Sequence, residues 1–254
     1  MSGPRVLIYD LERVPMRTKN IEVWDAKSLM GRRLTASDIE SWGRTVCMGY
    51  KWLDERATHI ISEWDEGGRE GFLRKAWDLI NEAHVVVGHN MQRFDQKHLQ
   101  GEFELEGLGP ASPVKITDTL LLAQRNFNYE MNNLDVITRR YGLTHKNDKY
   151  SSRIAWAAVG GDVKAQRRIE RYCKGDVRAT EALYRRLRPW GNTNLGVFFE
   201  DSDETLRCPT CTSTKVQKRG VAVTGLGRYQ RYQCQGCGAW GRGKKALGPT
   251  VEVR

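Results

Sequence analysis

The sequence predicts an α/β domain over residues 1–190, a linker over 191–205 and a small four-cysteine domain over 206–254. Three observations carry this. Short apolar runs of strand character come first, and segments of helical period are interleaved after them, which is the pattern of a mixed sheet covered by helices. Four of the six cysteines form two Cys-x-x-Cys pairs near the C-terminus. The formal net charge of +10 gathers in the same place: residues 206–254 hold ten Lys or Arg and one acid, Glu252, which leaves 31 basic and 30 acidic residues in the first 205.

The elements follow in order. Residues 5–10 (RVLIYD) are an apolar run ending in a carboxylate and read as a central strand. An irregular connection containing Trp24, Leu29 and Leu34 leads to a short helix expected near 37–42. Residues 45–53 and 57–64 read as two strands joined by the turn Asp54-Glu55-Arg56. Phe72, Leu73, Ala76, Trp77 and Ile80 give 71–83 a helical period. A buried strand at 84–88 precedes a helix opening at 94–99, and a last short strand at 114–116 precedes helices at 118–125 and 132–141. Residues 162–187 form one long helix, stopped by Pro189 and Gly191. The linker ends in the acidic run 200–204.

At 254 residues, with 39% hydrophobic and 28% charged residues, the composition is that of a globular protein. Its apolar runs, such as Val85-Val86-Val87, fall far short of the roughly 20 residues that cross a bilayer. The N-terminus passes directly into a strand without a signal-like apolar stretch, so a cytoplasmic setting is expected and a membrane role is not. The basic C-terminus points to a polyanion such as nucleic acid; a solvated basic tail is the bland alternative. Cys47 and Cys173, isolated among apolar neighbours, read as small buried hydrophobes.

Several carboxylates lie where a carboxylate is costly. Asp10 and Glu12, two residues apart on a strand, share one face and repel unless a cation sits between them, although a turn can also begin with acids. Asp176 falls on the apolar stripe Ile169, Tyr172, Cys173, Val177, Thr180, Leu183, Tyr184, Leu187 of the long helix. A buried carboxylate there needs a cation or strong donors, and an Arg could serve. Tyr172 stands one turn before it on the same face. Asp95 follows the 84–88 strand and is either a site residue or a helix-start residue, and Asp118 has the position of a helix cap.

The order Asp10-x-Glu12, Asn90-x-x-x-Phe94-Asp95 and Tyr172-x-x-x-Asp176 resembles the DEDD superfamily of 3′–5′ exonucleases, in its tyrosine branch. The histidine branch would place His at 171, which is Arg171. The segment 23–53 also resembles predicted bacteriophage and bacterial exonucleases of this group. The resemblance implies a ribonuclease H-like fold, a five-stranded mixed sheet with one antiparallel strand and flanking helices. It implies that Asp10, Glu12 and Asp176 hold two Mg2+ or Mn2+ ions, with Asp95 acting through a bound water. Tyr172 would orient the attacking water, and Asn90 would touch nucleic acid. Hard oxygen ligands suit those cations better than zinc.

Cys208, Cys211, Cys234 and Cys237, with 22 residues between the pairs, have the spacing of a zinc ribbon holding one structural Zn2+. A redox dithiol pair is the alternative. Residues 215–224 and 228–233 read as a hairpin around Gly225-Leu226-Gly227. Lys218, Arg219, Arg228, Arg231, Arg242, Lys244 and Lys245, interleaved with Tyr229, Tyr232 and Trp240, suit phosphates and bases. The same charge could also serve a protein partner. The expectation is a metal-dependent 3′–5′ exonuclease acting on nucleic acid with a free 3′ end, DNA before RNA. An endonuclease or RNA-trimming enzyme on the same fold, and a non-catalytic adaptor, stand as alternatives.

Overall fold

In the computed structural model, which describes residues 3–24, 31, 34–65, 67–143, 150–199 and 205–248, a nine-residue strand β1 (Val6–Val14) lies at the centre of the larger sheet. Leu29, part of the 23–53 segment, the acidic run 200–204 and Glu252 lie outside the described residues. The chain divides into two units, Arg5–Tyr184 and Met1–Pro4 with Arg185–Arg254.

Three short strands, β2 (Met16–Thr18), β3 (Glu22–Val23) and β4 (Ile39–Ser41), form a small sheet in the order β3-β2-β4. The helix expected at 37–42 is instead a single 3-10 turn, Ala36–Asp38, followed by β4. The turn is short because Asp38 folds back onto the Thr35 amide at 2.8 Å, and the chain beyond it is taken up by pairing with β2. β5 (Arg44–Trp52) and β6 (His59–Ser62) form the expected hairpin, and α1 (Gly68–Glu82) follows. Next come β7 (Val85–Gly88), α2 (Asp95–Leu105), β8 (Lys115–Asp118), α3 (Thr119–Asn126) and α4 (Leu134–Arg140).

The large sheet has the order β6-β5-β1-β7-β8. β5 runs antiparallel to both neighbours and β7 and β8 run parallel to β1, so this is the ribonuclease H-like mixed sheet with one reversed strand. α5 (Ser152–Val159) was not legible, because Ile154–Val159 is apolar throughout with no helical alternation; the Ser151 side chain, accepting from the Ile154 amide, starts it. α6 (Val163–Leu187) is the long helix, its first amides at Lys164 and Ala165 held by Asp162 Oδ1.

Period-two alternation sorts β1 between two layers. Leu7, Tyr9 and Leu11 pack with Met48, Phe72, Leu73, Leu99 and Phe103 on the side of α1 and α2. Val14 packs on the other side with Val46, Cys47, Ala155, Ile169 and Cys173, toward α5 and α6. A Cβ on Gly49 would come within 2.9 Å of Cys173 Sγ and 3.0 Å of Val177 Cγ2, so this glycine lets α6 cross the sheet closely.

The second unit carries β9 (Val216–Thr224), β10 (Gly227–Cys234) and β11 (Trp240–Ala246) in an antiparallel sheet, order β11-β10-β9. The hairpin of β9 and β10 matches expectation. β11 adds a third strand to it, which the glycine-rich Trp240–Ala246 segment did not announce. The stretch expected as linker holds a 3-10 turn, Leu195–Phe198, with the Leu195 amide donating to the Pro209 carbonyl at 2.6 Å.

Candidate active site

β1 does not end at Asp10; it carries both Asp10 and Glu12 on the face that meets α6. Glu12 is 5% exposed and Asp176, on the buried stripe of α6, is 3% exposed. Carboxylate oxygens of Asp10 and Glu12 and the Cys173 sulfur all lie within 4.8 Å of one another. Cys173 is more than a small hydrophobe: its sulfur accepts from the Gly49 amide at 3.0 Å and its thiol donates to the Asp10 carbonyl at 3.4 Å. Burial, then the thiol of Cys47, pushes Cys173 well above the usual thiol range, so it stays protonated beside the acids.

Asp95 opens α2 and is 4% exposed. Burial pushes its carboxyl up to about 7, with its own amide and that of Leu11 pulling the other way. The loop before it is fixed from a distance. Asn90 has φ 62°, a left-handed conformation that Asn tolerates better than most residues. Its amide donates to Asp118 Oδ1 at 2.9 Å and that of Gln92 to Oδ2 at 3.1 Å. Asp118 also caps α3 through the Leu120 and Leu121 amides, so the expected cap doubles as the anchor of the Asn90 loop.

Asp10, Glu12, Asn90, Asp95, Tyr172 and Asp176 line one small cleft of about 210 Å³, which brings every catalytic residue expected from the sequence to one place. Asp10, Asn90, Tyr172 and Asp176 also border a larger cleft of about 1050 Å³, whose far wall includes Asn132, Asp135 and Arg139. Of the small cleft's polar residues, His89 and Tyr150 were not anticipated from the sequence. His89 bridges Thr119 Oγ1 and the Asn132 carbonyl, each at 2.9 Å. Tyr150 donates its hydroxyl to the Arg13 carbonyl at 2.5 Å and sets its ring 5.7 Å from that of Tyr172. His89 adjoins Asn90 in sequence and could have been flagged; Tyr150 had no local signal.

The paired acids suit a hard divalent cation: adjacent carboxylates repel, and such an ion relieves them. In the second unit, Cys208 and Cys237 sulfurs are 3.7 Å apart and those of Cys211 and Cys234 are 3.6 Å apart. A disulfide would bring a pair to about 2.05 Å. Four bonds of about 2.3 Å to one tetrahedral ion spread sulfurs to about 3.8 Å, so the four thiols could hold a metal ion. Burial pushes the Cys208 and Cys237 thiols up, while against burial the amides of Cys237 and Gly236 bring Cys234 down to about 7, so one thiolate forms readily and the others need the charge of the metal itself. The basic and aromatic candidates Lys218, Arg219, Arg228, Tyr229, Arg231, Tyr232, Trp240, Arg242, Lys244 and Lys245 are distributed over all three strands of the ribbon.

A five-stranded sheet of this topology, with acids on its central strand and on a crossing helix, defines a ribonuclease H-like enzyme class. The chain belongs to the RNase_H superfamily: the RNase_H_2 family model matches residues 38–188, a stretch that includes Asp95, Tyr172 and Asp176 and begins after Asp10 and Glu12. Among solved structures, the chain is similar to the family B DNA polymerase from the hyperthermophilic archaeon Pyrobaculum calidifontis, with 19% identity and a TM-score of 0.53. The similarity covers 74% of this chain and 25% of that one, so it speaks for the fold. No curated protein matches the chain. Family and fold agree on a ribonuclease H-like domain.

Proposed function

We propose that this protein is a metal-dependent 3′–5′ exonuclease of the DEDD tyrosine branch, of phage or bacterial type, acting on DNA in the cytoplasm. The domains at work are residues 1–190 and 206–254, joined by 191–205. The observation that supports this reading most is the convergence of Asp10, Glu12, Asn90, Asp95, Tyr172 and Asp176 on one cleft. Asp10, Glu12 and Asp176 would hold two Mg2+ or Mn2+ ions, Asp95 contributing through water; such ions neutralise the phosphate, activate water and stabilise the leaving oxygen. The rest falls to the chain itself. Tyr172, one helical turn from Asp176, orients the attacking water. The Asn90 loop, held by Asp118, contacts the 3′-terminal nucleotide. Cys208, Cys211, Cys234 and Cys237 would hold one structural Zn2+, and the ribbon they fold grips the substrate.

The test is a 5′-labelled single strand and the same strand as a closed circle, each incubated with Mg2+, Mn2+ or EDTA. A metal-dependent ladder shortening from the 3′ end, with circles intact, is the expected result. Cut circles would replace this reading with an endonuclease. Absence of product under every metal, with the strand still bound, would reduce the protein to an adaptor.

A further inference from the structure

The ribbon's basic and aromatic residues do not form one undivided patch; the strand register divides them between two faces. Arg231 on β10 is paired with Arg242 on β11, and Gln233 with Trp240. Alternation puts Tyr229, Arg231, Trp240 and Arg242 on one face and Tyr232 with its partner Lys218 on the other. Two guanidiniums directly opposite each other on a sheet repel. Residues 205–248 contain no Asp or Glu that could neutralise them.

The two arginines lean apart along the strands instead. Arg231 lies over the Trp240 ring, 4.9 Å from its centroid, and Arg242 over the Tyr229 ring at 4.2 Å. The Arg231 Nε also donates to the Arg219 carbonyl at 2.9 Å, which fixes its stem. The outcome is a row of Trp, Arg, Arg and Tyr on a sheet face, with Trp240 52% exposed. Two flat rings flank a doubled positive charge that the ribbon leaves unneutralised.

We infer that this face is a binding site for single-stranded nucleic acid, with bases stacking against the Arg231–Trp240 and Arg242–Tyr229 pairs and phosphates drawn by the same two guanidiniums. Charge selects a polyanion, and the two guanidinium–ring stacks, Trp240 exposed and Tyr229 half-buried, offer flat surfaces that an unpaired base can extend, because a duplex keeps its base faces inside the stack. The inference takes the identity of the polyanion from the nuclease reading and extends it: the ribbon holds the single strand at a site of its own, separate from the acidic cleft.

The experiment uses the full chain carrying Asp10→Asn, to stop cleavage, and fluorescence anisotropy with a labelled oligothymidine and a blunt duplex across a salt series. The single strand is expected to bind at least tenfold tighter than the duplex. Trp240→Ala and Tyr229→Ala should each weaken the single strand by about tenfold or more. Arg231→Gln and Arg242→Gln should each lower the salt slope by about 0.7. Val223→Ala, on the opposite face, should stay within twofold. Bound zinc, measured per chain, shows that each variant ribbon is folded, and Trp240→Phe, which keeps a ring, should recover most of the affinity. Equal affinity for duplex and single strand overturns the proposal, as does ring removal without effect in a zinc-loaded chain. Binding of neither nucleic acid also overturns it and leaves a protein partner for this face. Cleavage by the unaltered chain is scored separately, so tight binding without cleavage sinks the nuclease reading alone, and cleavage without ring-dependent binding sinks this one alone.

Discussion

In the α/β unit, Leu7, Tyr9 and Leu11 disappear beneath Phe72, Leu73, Leu99 and Phe103, while the ribbon's buried cluster, among the described residues, is Cys208, Cys234 and Ala239 with Cys211, Val216 and Cys237 around it. The first unit has apolar surface to spare and can carry Glu12, Asp95 and Asp176 inside it. A buried carboxylate costs several kcal/mol, and a large core absorbs that cost. The second unit has no such reserve, and its four thiols could supply the missing anchor by holding a metal ion. Its sheet thereby keeps wet faces whose side chains are available to a partner. The site of the larger unit is made by burial and that of the smaller one by exposure.

The largest expected effect breaks the comparison at the clamp. Replacing Cys208 and Cys237 by Ser should abolish amide-exchange protection throughout β9, β10 and β11 while the melting temperature of the α/β unit holds, because a structural zinc contributes on the order of 10 kcal/mol. Coupled loss of both would show that the units are not independent. Next, Asp176→Ala should lower cleavage by about a thousandfold or more, with the circular dichroism spectrum and the zinc content unchanged. Asp118→Ala removes the acceptor of the Asn90, Gln92 and Leu120 amides and should destabilise the α/β unit by about 2–3 kcal/mol in urea unfolding. Gly49→Ala, which forces α6 away from the sheet, should cost about 1–3 kcal/mol in the same measurement.

A further effect is a pH slope in the larger unit. Burial, then the charge of Arg13, pushes His98 down to about 4. In the unfolded chain the same ring takes up its proton near pH 6.5. The unfolded state therefore binds more protons between these values, so this contribution is complete above about pH 6.5 and is lost as pH falls toward 4. Asp95, raised to about 7 in the same unit, contributes with the opposite sign over the same window, so His98→Gln should remove the rising component and leave stability falling more steeply as pH increases from about 4 to 7. The ribbon, whose described residues contain no histidine, has no ring to produce such a slope, and its pH response comes through its cysteines.

The acidic site was largely legible because its signals are local. Asp10 and Glu12 share a face by alternation, and Tyr172 and Asp176 by helical spacing; neither statement needs the rest of the fold. Asp118 was legible as a cap for the same reason, but its hold on the Asn90 loop joins residues 28 apart and was not. Tyr150 meets Arg13 across 137 residues and Cys173 meets Asp10 across 163, contacts that exist only once β1 and α6 have been brought together. β11 was hidden by its glycines, which weaken every strand signal and take their conformation from pairing with β10. The 37–42 segment was misread because a capped turn followed by a paired edge looks, residue by residue, like the start of a helix.

The acid-free sheet face with its paired arginines has a consequence for how the ribbon lets go. Residues 205–248 contain neither carboxylate nor histidine, so apart from their cysteines they hold no side chain that changes charge between about pH 3 and pH 8. Acidification therefore leaves the binding face itself charged as before and acts only on the four thiols. Grip on a phosphate backbone is then regulated by ionic strength and by occupancy of the thiols, and protons act on it only through those thiols, which must be deprotonated to hold a metal.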